Sequence, residues 1–294
     1  MADFDRKTGV LFVVATPIGN LEDFSPRAQR ILREVDLIAA EDTRHSAGLL
    51  HRFGIETPRI ALHEHNERDA APGLVRRMEA GESIGLISDA GTPLVSDPGY
   101  RLVRAAVAAG IEVRPVSGPS AAITALSAAG LATDRFVFEG FLPAKTLARR
   151  RVLERLKGET RTVVLYESPR RVYSTLSDAL AILGEVRSWV IARELTKLHE
   201  QWARGTAREL LEWLDANADR RRGEFVLLLV GAPVEPVGER LEIEQDELLA
   251  GLLEELPLKG AVSLAARLSD RSRNQLYTRA LELKDRDRTD GNNR

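Results

Sequence analysis

The chain has 294 residues, 44% hydrophobic and 29% charged, a composition that excludes extensive disorder and leaves room for two domains and a small appendage. Its formal net charge of -2 excludes a molecule that is basic throughout, so any nucleic-acid surface must come from local clustering. Cysteine is absent, which excludes disulfides, thiolate chemistry and Cys-ligated zinc; with no leader-like segment and no apolar run of about 18 residues, we expect a cytoplasmic protein with no membrane partner.

From Val10 to Pro115 short apolar runs alternate with amphipathic stretches. Strands are predicted at 10–15, 36–40, 83–87 and 111–115, with helices near 26–34, 67–80 and 100–109. That rhythm predicts a parallel sheet covered by helices. Ser25 and Pro26 read as N-cap and first helical residue, which puts Ala28, Ile31, Leu32 and Val35 on one face. Further on, strands at 136–138, 162–166, 187–192 and 224–230 and helices near 145–157, 170–183 and 206–216 predict a second α/β domain. "GAPVEPVGE" at 231–239 reads as a linker. Past it, a stripe of Leu248, Leu249, Leu252 and Leu253, then "LKGAVSLAARLS" and "SRNQLYTRALEL", predict a small helical, helix-turn-helix-like module in which Leu264, Leu268, Leu276 and Leu281 pack. The expected division is 9–116, 117–232 and 243–285.

Three apolar runs end in the same grammar: "ATPIGN" at 15–20, "SDAGTP" at 88–93 and "SGPSAA" at 117–122. In an open parallel sheet, ligands lie outside the carboxyl ends of the strands, so the three loops are expected to share one site. Gly19, Gly91 and Gly118 would let backbone approach a ligand, Pro17, Pro93 and Pro119 would fix the turns, and Asp89 could accept hydrogen bonds or face a cation, with three ordinary connecting turns as the plain alternative. None of the loops is a G-x-G-x-x-G or P-loop motif. Other polar clusters stand at strand ends. "ALHEHNE" offers His63, Glu64, His65 and Asn66 for catalysis or substrate contact or as a hydrogen-bonded loop, with no third metal ligand in view. "AEDTR" offers Glu41, Asp42 and Arg44, as an ion pair or as substrate contacts. "YES" and "ARELTK" supply Glu167, Arg193, Glu194 and Lys197, as charge pairs bracing the cleft or as chemistry.

"VVATPIGNLED", "LIAAEDTRHS", "LHEHNE", "ISDAGTPLVSDPGYRLV", "SGPSAAITALSAAGL", "FEGFLPAK", "YESPRR", "ARELTK" and "LYTRAL" together, in order over residues 9–283, resemble the ribosomal RNA small-subunit 2'-O-ribose methylase branch of the tetrapyrrole (corrin/porphyrin) methylase family. The wider family usually carries Gly-x-Gly-Pro-Gly-Asp after its first strand, where this chain has Thr16-Pro17-Ile18-Gly19-Asn20, a departure that disfavours a porphyrin substrate. The resemblance implies two α/β domains with S-adenosyl-L-methionine in the cleft between them, a homodimer, and methylation of a cytidine ribose in the decoding region of 16S rRNA, free or in the small ribosomal subunit. It places Pro17, Gly19, Asp89, Gly91, Thr92, Pro93, Ser117, Gly118, Pro119, Ser120, Ala121 and Ala125 near the cofactor.

Methyl transfer from a sulfonium is an in-line displacement that needs no metal, so alignment is the main task. A base near the acceptor hydroxyl would add roughly 10²–10⁴, and His63, Glu64, His65 and Glu167 are the candidates. For RNA, residues 145–171 carry nine basic side chains against three acids, among them Lys145, Arg149, Arg150, Arg151, Arg170 and Arg171. A solvated helix face is the plain alternative. The tail adds Lys259, Arg267, Arg271, Arg273, Arg279 and Lys284, with Tyr277 as a stacking group. Two rival readings are a methylase of a small tetrapyrrole and a non-catalytic rRNA-binding assembly factor.

Overall fold

A computed structural model describes residues 8–233, 245–269 and 272–290. It contains β1 (Val10–Val14), α1 (Pro26–Glu34), β2 (Leu37–Ala40), α2 (Thr43–Arg52), β3 (Arg59–Ala61), α3 (Glu67–Glu79), β4 (Ile84–Ile87), α4 (Tyr100–Ala108), β5 (Glu112–Val116) and α5 (Ala121–Ala129). The first sheet has the order β3-β2-β4-β1-β5 and is parallel throughout. Strands β2 and β4 inside the sheet read as continuous apolar runs because helices cover both faces, whereas the edge strands β3 and β5 carry exposed charged residues. Leu37 and Ala39 point to the side of α3 and α4, while Ile38 and Ala40 point to α1 and α2. The predicted cap is present: the Ser25 hydroxyl accepts from the Ala28 amide at 3.1 Å, and Ala28, Ile31 and Leu32 are buried. Helix α2 was not foreseen. Asp42 is its N-cap, accepting from the amides of Arg44 and His45, and its other carboxylate oxygen pairs with the Arg44 guanidinium at 3.6 Å, the ion pair the sequence suggested.

The second sheet is built from β6 (Phe136–Phe141), β7 (Thr162–Glu167), β8 (Ser188–Arg193), β9 (Gln201–Thr206) and β10 (Phe225–Leu229), in the order β6-β7-β10-β8-β9. Only β6 and β7 are parallel; the other pairs are antiparallel. Helices α6 (Thr146–Arg155), α7 (Val172–Leu183) and α8 (Ala207–Asp215) cover one face and α5 the other. Strand β9 escaped prediction because "QWARGT" has little apolar alternation and pairs only at the sheet edge.

Residues 234–294 form a separate unit. Its described helices are α9 (Gln245–Glu255), α10 (Leu258–Leu268) and α11 (Arg273–Asp290). The core is Leu249, Val262, Ala265, Leu276 and Ala280. This corrects the expected packing, since Leu268 and Leu281 are exposed. Arg279 is spent on Asp246 and Glu282, which hold its guanidinium pKa above the ordinary value, so it braces α9 against α11. Residues 234–239 of the expected linker, the start of the 243–285 segment, Arg271 and the side chain of Lys284 lie outside the described residues.

The arginine run on α6 corrects a larger expectation. Arg149 is 4% exposed, and its guanidinium meets Asp178 of α7 at 2.6 Å. Arg150 takes the other carboxylate oxygen at 2.7 Å. Both arginines therefore clamp two helices together, and Arg149 is closed to RNA. Arg171 is likewise engaged, with Glu167 and the Leu142 carbonyl. Lys145, Arg151 and Arg170 remain exposed. Removing Asp178 strands a buried guanidinium, so Asp178→Ala is expected to lower the unfolding free energy by about 3–5 kcal/mol, against less than about 1 kcal/mol for Arg150→Ala. Urea titration followed by circular dichroism measures both.

Candidate functional site

Strand order brings the three loops together. Because β1 lies between β4 and β5, the loop after β1 is flanked by the loops after the other two. Thr16 and Gly91 exchange backbone hydrogen bonds at 2.9 and 3.0 Å, the Ala15 amide donates to the Val116 carbonyl, and Thr92 Oγ1 donates to the Pro119 carbonyl at 3.0 Å. The glycines serve this knitting, which corrects the idea that all three clear space for a ligand. A Cβ on Gly118 would stand 2.9 Å from the Ala15 Cβ, and one on Gly19 would stand 2.5 Å from the Lys197 side chain. Gly91 has φ +78°, a backbone that L side chains rarely adopt, and its Cβ would press on Ile18.

Above the loops lies a cavity of about 340 Å³, walled by both sheets. Asp89, Gly91, Thr92, Ser120 and Ala121 line it, whereas Pro17 and Gly19 line an adjoining hollow. Pro93, Ser117, Gly118, Pro119 and Ala125 face neither. Ala125 is fully buried where α5 packs on the second sheet. The apolar floor includes Ile18, Ala192, Leu195 and Val226. Ile18 crosses from the first loop into the hydrophobic cluster of the second sheet, so the floor is continuous.

Five carboxylate residues line this cavity, Glu41, Asp89, Asp97, Glu167 and Glu224, and the first three come from the loops of the first sheet and crowd one wall. The Asp89 amide donates to Glu41 Oε2 at 3.2 Å, and Asp89 Oδ1 accepts from the Asp42 amide at 3.1 Å. Burial raises the Glu41 pKa, and the charge of Asp89 adds to that. Burial also pushes Asp97 up to about 6, with the Glu41 and Asp89 charges adding and a hydrogen bond from Ser88 opposing. Such crowding of like charges at one wall favours a cationic guest.

The second sheet supplies the opposite wall. The Tyr166 hydroxyl accepts from the Ala122 amide at 3.1 Å, and burial raises its pKa. Its ring packs edge-on against Phe138 and Phe141. Glu167 also lines the cavity, but it is 3% exposed and engaged by Thr175 Oγ1 at 2.7 Å, the Ser168 amide and Arg171. The "ARELTK" charges do brace the cleft: Lys197 bridges Glu194 and Glu224, and Thr196 Oγ1 accepts from the Asn20 amide at 3.1 Å. Glu194 and Thr196 hold positive φ angles to make that turn.

His63, Glu64 and His65 do not reach this cavity. They follow β3, the edge strand two places from β4, and are exposed. Asn66 shapes their loop, its carbonyl oxygen accepting from the His63 amide at 2.8 Å. Asp97 and the aromatic Phe141 escaped sequence reasoning. The signal for Asp97 was its "SDPG" setting in the same loop as Asp89, but the fold of residues 94–99 turns on positive φ at Leu94 and Ser96, which no propensity announces. Among the described residues, no group of three or more His, Cys, Asp or Glu side chains could hold a metal ion, and no helix is long and apolar enough to cross a membrane.

Comparison with known proteins bears on the same features. The profile of Tetrapyrrole (Corrin/Porphyrin) Methylases matches residues 10–211, and that of the RsmI C-terminal HTH domain matches residues 239–284. The protein named ribosomal RNA small subunit methyltransferase I in Pseudomonas aeruginosa is 52% identical over 274 residues, covering 93% of this chain and 97% of the relative. Its namesake in Escherichia coli O157:H7 is 50% identical over 278 residues, covering 95% and 96%. Among solved structures, the methyltransferase CobJ superposes with a TM-score of 0.57 at 20% identity, over 76% of this chain and 95% of that one. The uroporphyrin-III C-methyl transferase from Thermus thermophilus complexed with S-adenyl homocysteine gives 0.52 at 18%, over 76% and 97%. These two likenesses speak to fold alone, and with the profile matches they bear out the expected class of two α/β domains and a C-terminal helical module. The chain belongs to the tetrapyrrole (corrin/porphyrin) methylase family and, within it, to the ribosomal RNA small subunit methyltransferase I branch.

Proposed function

We propose that the chain transfers a methyl group from S-adenosyl-L-methionine to the 2'-hydroxyl of a cytidine ribose in the decoding region of 16S rRNA. The observation that carries this reading is the cavity at the knitted loops, with an apolar floor beside three carboxylates. The donor set fits the cofactor: Ile18, Leu195 and Val226 offer apolar surface to an adenosine, and Glu41, Asp89 and Asp97 offer negative charge to a sulfonium and an ammonium group. When bound, the cofactor supplies an electrophilic methyl group. The chain's own residues then orient and exclude water, and the carboxylates of Asp89 and Asp97 are groups on this wall able to take the hydroxyl proton. Of the four catalytic candidates, only Glu167 lines the cavity, where its bonds to Thr175 and Arg171 suit it to bracing the wall.

The same reading carries a homodimer acting in the cytoplasm on 16S rRNA or the small ribosomal subunit. It sets the domain boundary between Val116 and Ser117, supported by the packing of α5 on the second sheet. It treats 243–285 as an RNA-docking module, supported by the separate tail unit and by exposed Lys259, Arg273 and Tyr277.

Gly91→Val is expected to abolish cofactor binding in calorimetry while preserving the circular-dichroism spectrum, since a branched side chain resists φ +78° and pushes Ile18. Normal affinity would remove the loop from the site.

Cofactor affinity should depend on pH through Asp97. A carboxyl that titrates near pH 6 is protonated below that value and must lose its proton to face a cation. Affinity should therefore fall as pH drops from 7 to 5 and level off above 7, and Asp97→Asn should flatten the profile. A pH-independent wild type would contradict this placement.

Ending the chain at Pro233 should spare cofactor affinity and sharply lower methylation of small ribosomal subunits, because distant phosphate contacts help orient the target ribose. A truncated chain that methylates at the full rate would remove the tail from RNA docking.

A further inference from the structure

Helix α2 carries two arginines and two histidines and no acid along its ten residues. Its inner face buries Ser46 and Leu50. Its outer face, His45, Gly48, Leu49 and Arg52, follows the i, i+3, i+4, i+7 spacing and walls an open hollow of about 510 Å³, opposite Pro17, Gly19 and Leu21. This hollow shares Ile18, Asp89, Ala90 and Glu224 with the 340 Å³ cavity, so the two adjoin along these residues.

The charges in the hollow are unequal in availability. Lys197 is held by Glu194 and Glu224, which keep its pKa above the usual lysine value against the opposing effect of burial. Arg52, by contrast, makes no ion pair among the described residues and is exposed. Gly48 leaves a notch between His45 and Arg52, since a Cβ there would meet nothing within 4 Å. Beyond Gly48, α2 also borders an open hollow of about 770 Å³ lined by His51 and Arg59 together with Glu56. The helix is thus a ridge with cations on both flanks, and a guanidinium free of partners matches a phosphate through paired hydrogen bonds.

Resting on the methyl-transfer reading above, we propose that the hollow between α2 and residues 17–21 is the acceptor-nucleotide site, with RNA phosphates on His45 and Arg52 and the ribose directed toward Asp89, where the hollow meets the cofactor cavity. Phosphate contact on this ridge takes over what the buried Arg149 cannot do on α6.

The test uses the full-length protein and purified small ribosomal subunits lacking the modification. Arg52→Glu reverses the free charge, and Gly48→Glu places a carboxylate in the notch while improving helix propensity. Arg104→Glu, exposed on α4 and lining neither hollow, controls for a general change of charge. Both α2 variants should keep wild-type cofactor affinity and melting temperature. Their KM for the subunit should rise about tenfold or more, with the salt dependence of Arg52→Glu binding shallower by about one counterion, while Arg104→Glu stays near wild type. An unchanged KM and salt slope in Arg52→Glu, with the cofactor bound normally, would overturn the proposal. So would a parallel loss of cofactor affinity, which would assign the hollow to the cofactor, or an equal effect of Arg104→Glu. Failure of the wild type itself to bind S-adenosyl-L-methionine would instead sink the methyl-transfer reading beneath it.

Discussion

The backbone exchange between Thr16 and Gly91 joins two strand ends that are 75 residues apart in sequence, and the cavity's floor is organised around it. It exists because β1 is threaded between β4 and β5, which places three strand carboxyl ends in one row. Ala15 is then fixed by Val116, Thr92 by Pro119, and Ile18 is free to cross into the second sheet's core. A parallel sheet requires a long crossover after every strand, so these turns are spared the task of reversing the chain and can be Gly/Pro-rich and shaped for a ligand.

On this frame the electrostatics follow. Glu41 ends β2, Asp89 follows β4, and Asp97 returns from the same long loop, so strand order again decides which carboxylates share a wall. Each is partly withdrawn from water, and the cluster's repulsion is relieved only in part by backbone amides and Ser88. The opposite wall is neutralised internally, Glu167 by Arg171 and Glu194 by Lys197. The cavity is consequently asymmetric in charge, a property suited to holding a cationic donor in one orientation.

Much of this was legible in the sequence for identifiable reasons. Continuous apolar runs such as Ile84–Ile87 announced buried strands, and the Ser25-Pro26 pair announced the start of α1. The repeated Gly/Pro endings correctly indicated loops that converge. Hidden features depended on long-range pairing. The "ARRR" run read as a surface because Asp178, 29 residues from Arg149, gives no local sign that it will meet it. His63 and His65 read as cleft residues because their strand was visible but its edge position was not. Glu67 was hidden likewise: a buried carboxylate at the start of α3 accepts from the amides of Arg101 and Leu102, capping α4 in place of a side chain that Gly99 lacks.

The distribution of cations carries the last step. A chain with net charge -2 cannot attract RNA by its overall field, so contacts must be few and their guanidinium groups free. Folding removes several arginines from that role: Arg149 to Asp178, Arg187 to the carbonyls of Val230 and Lys157, Arg193 to those of Arg222 and Asp219, Arg279 to Asp246. In these the guanidinium serves as a structural fork, binding one carboxylate or several carbonyls where an ammonium would leave acceptors unsatisfied. Arg52, exposed in the hollow beside the cavity, keeps its guanidinium clear of such structural work, which is why the proposed acceptor site rests on it and not on the density of basic letters along the chain.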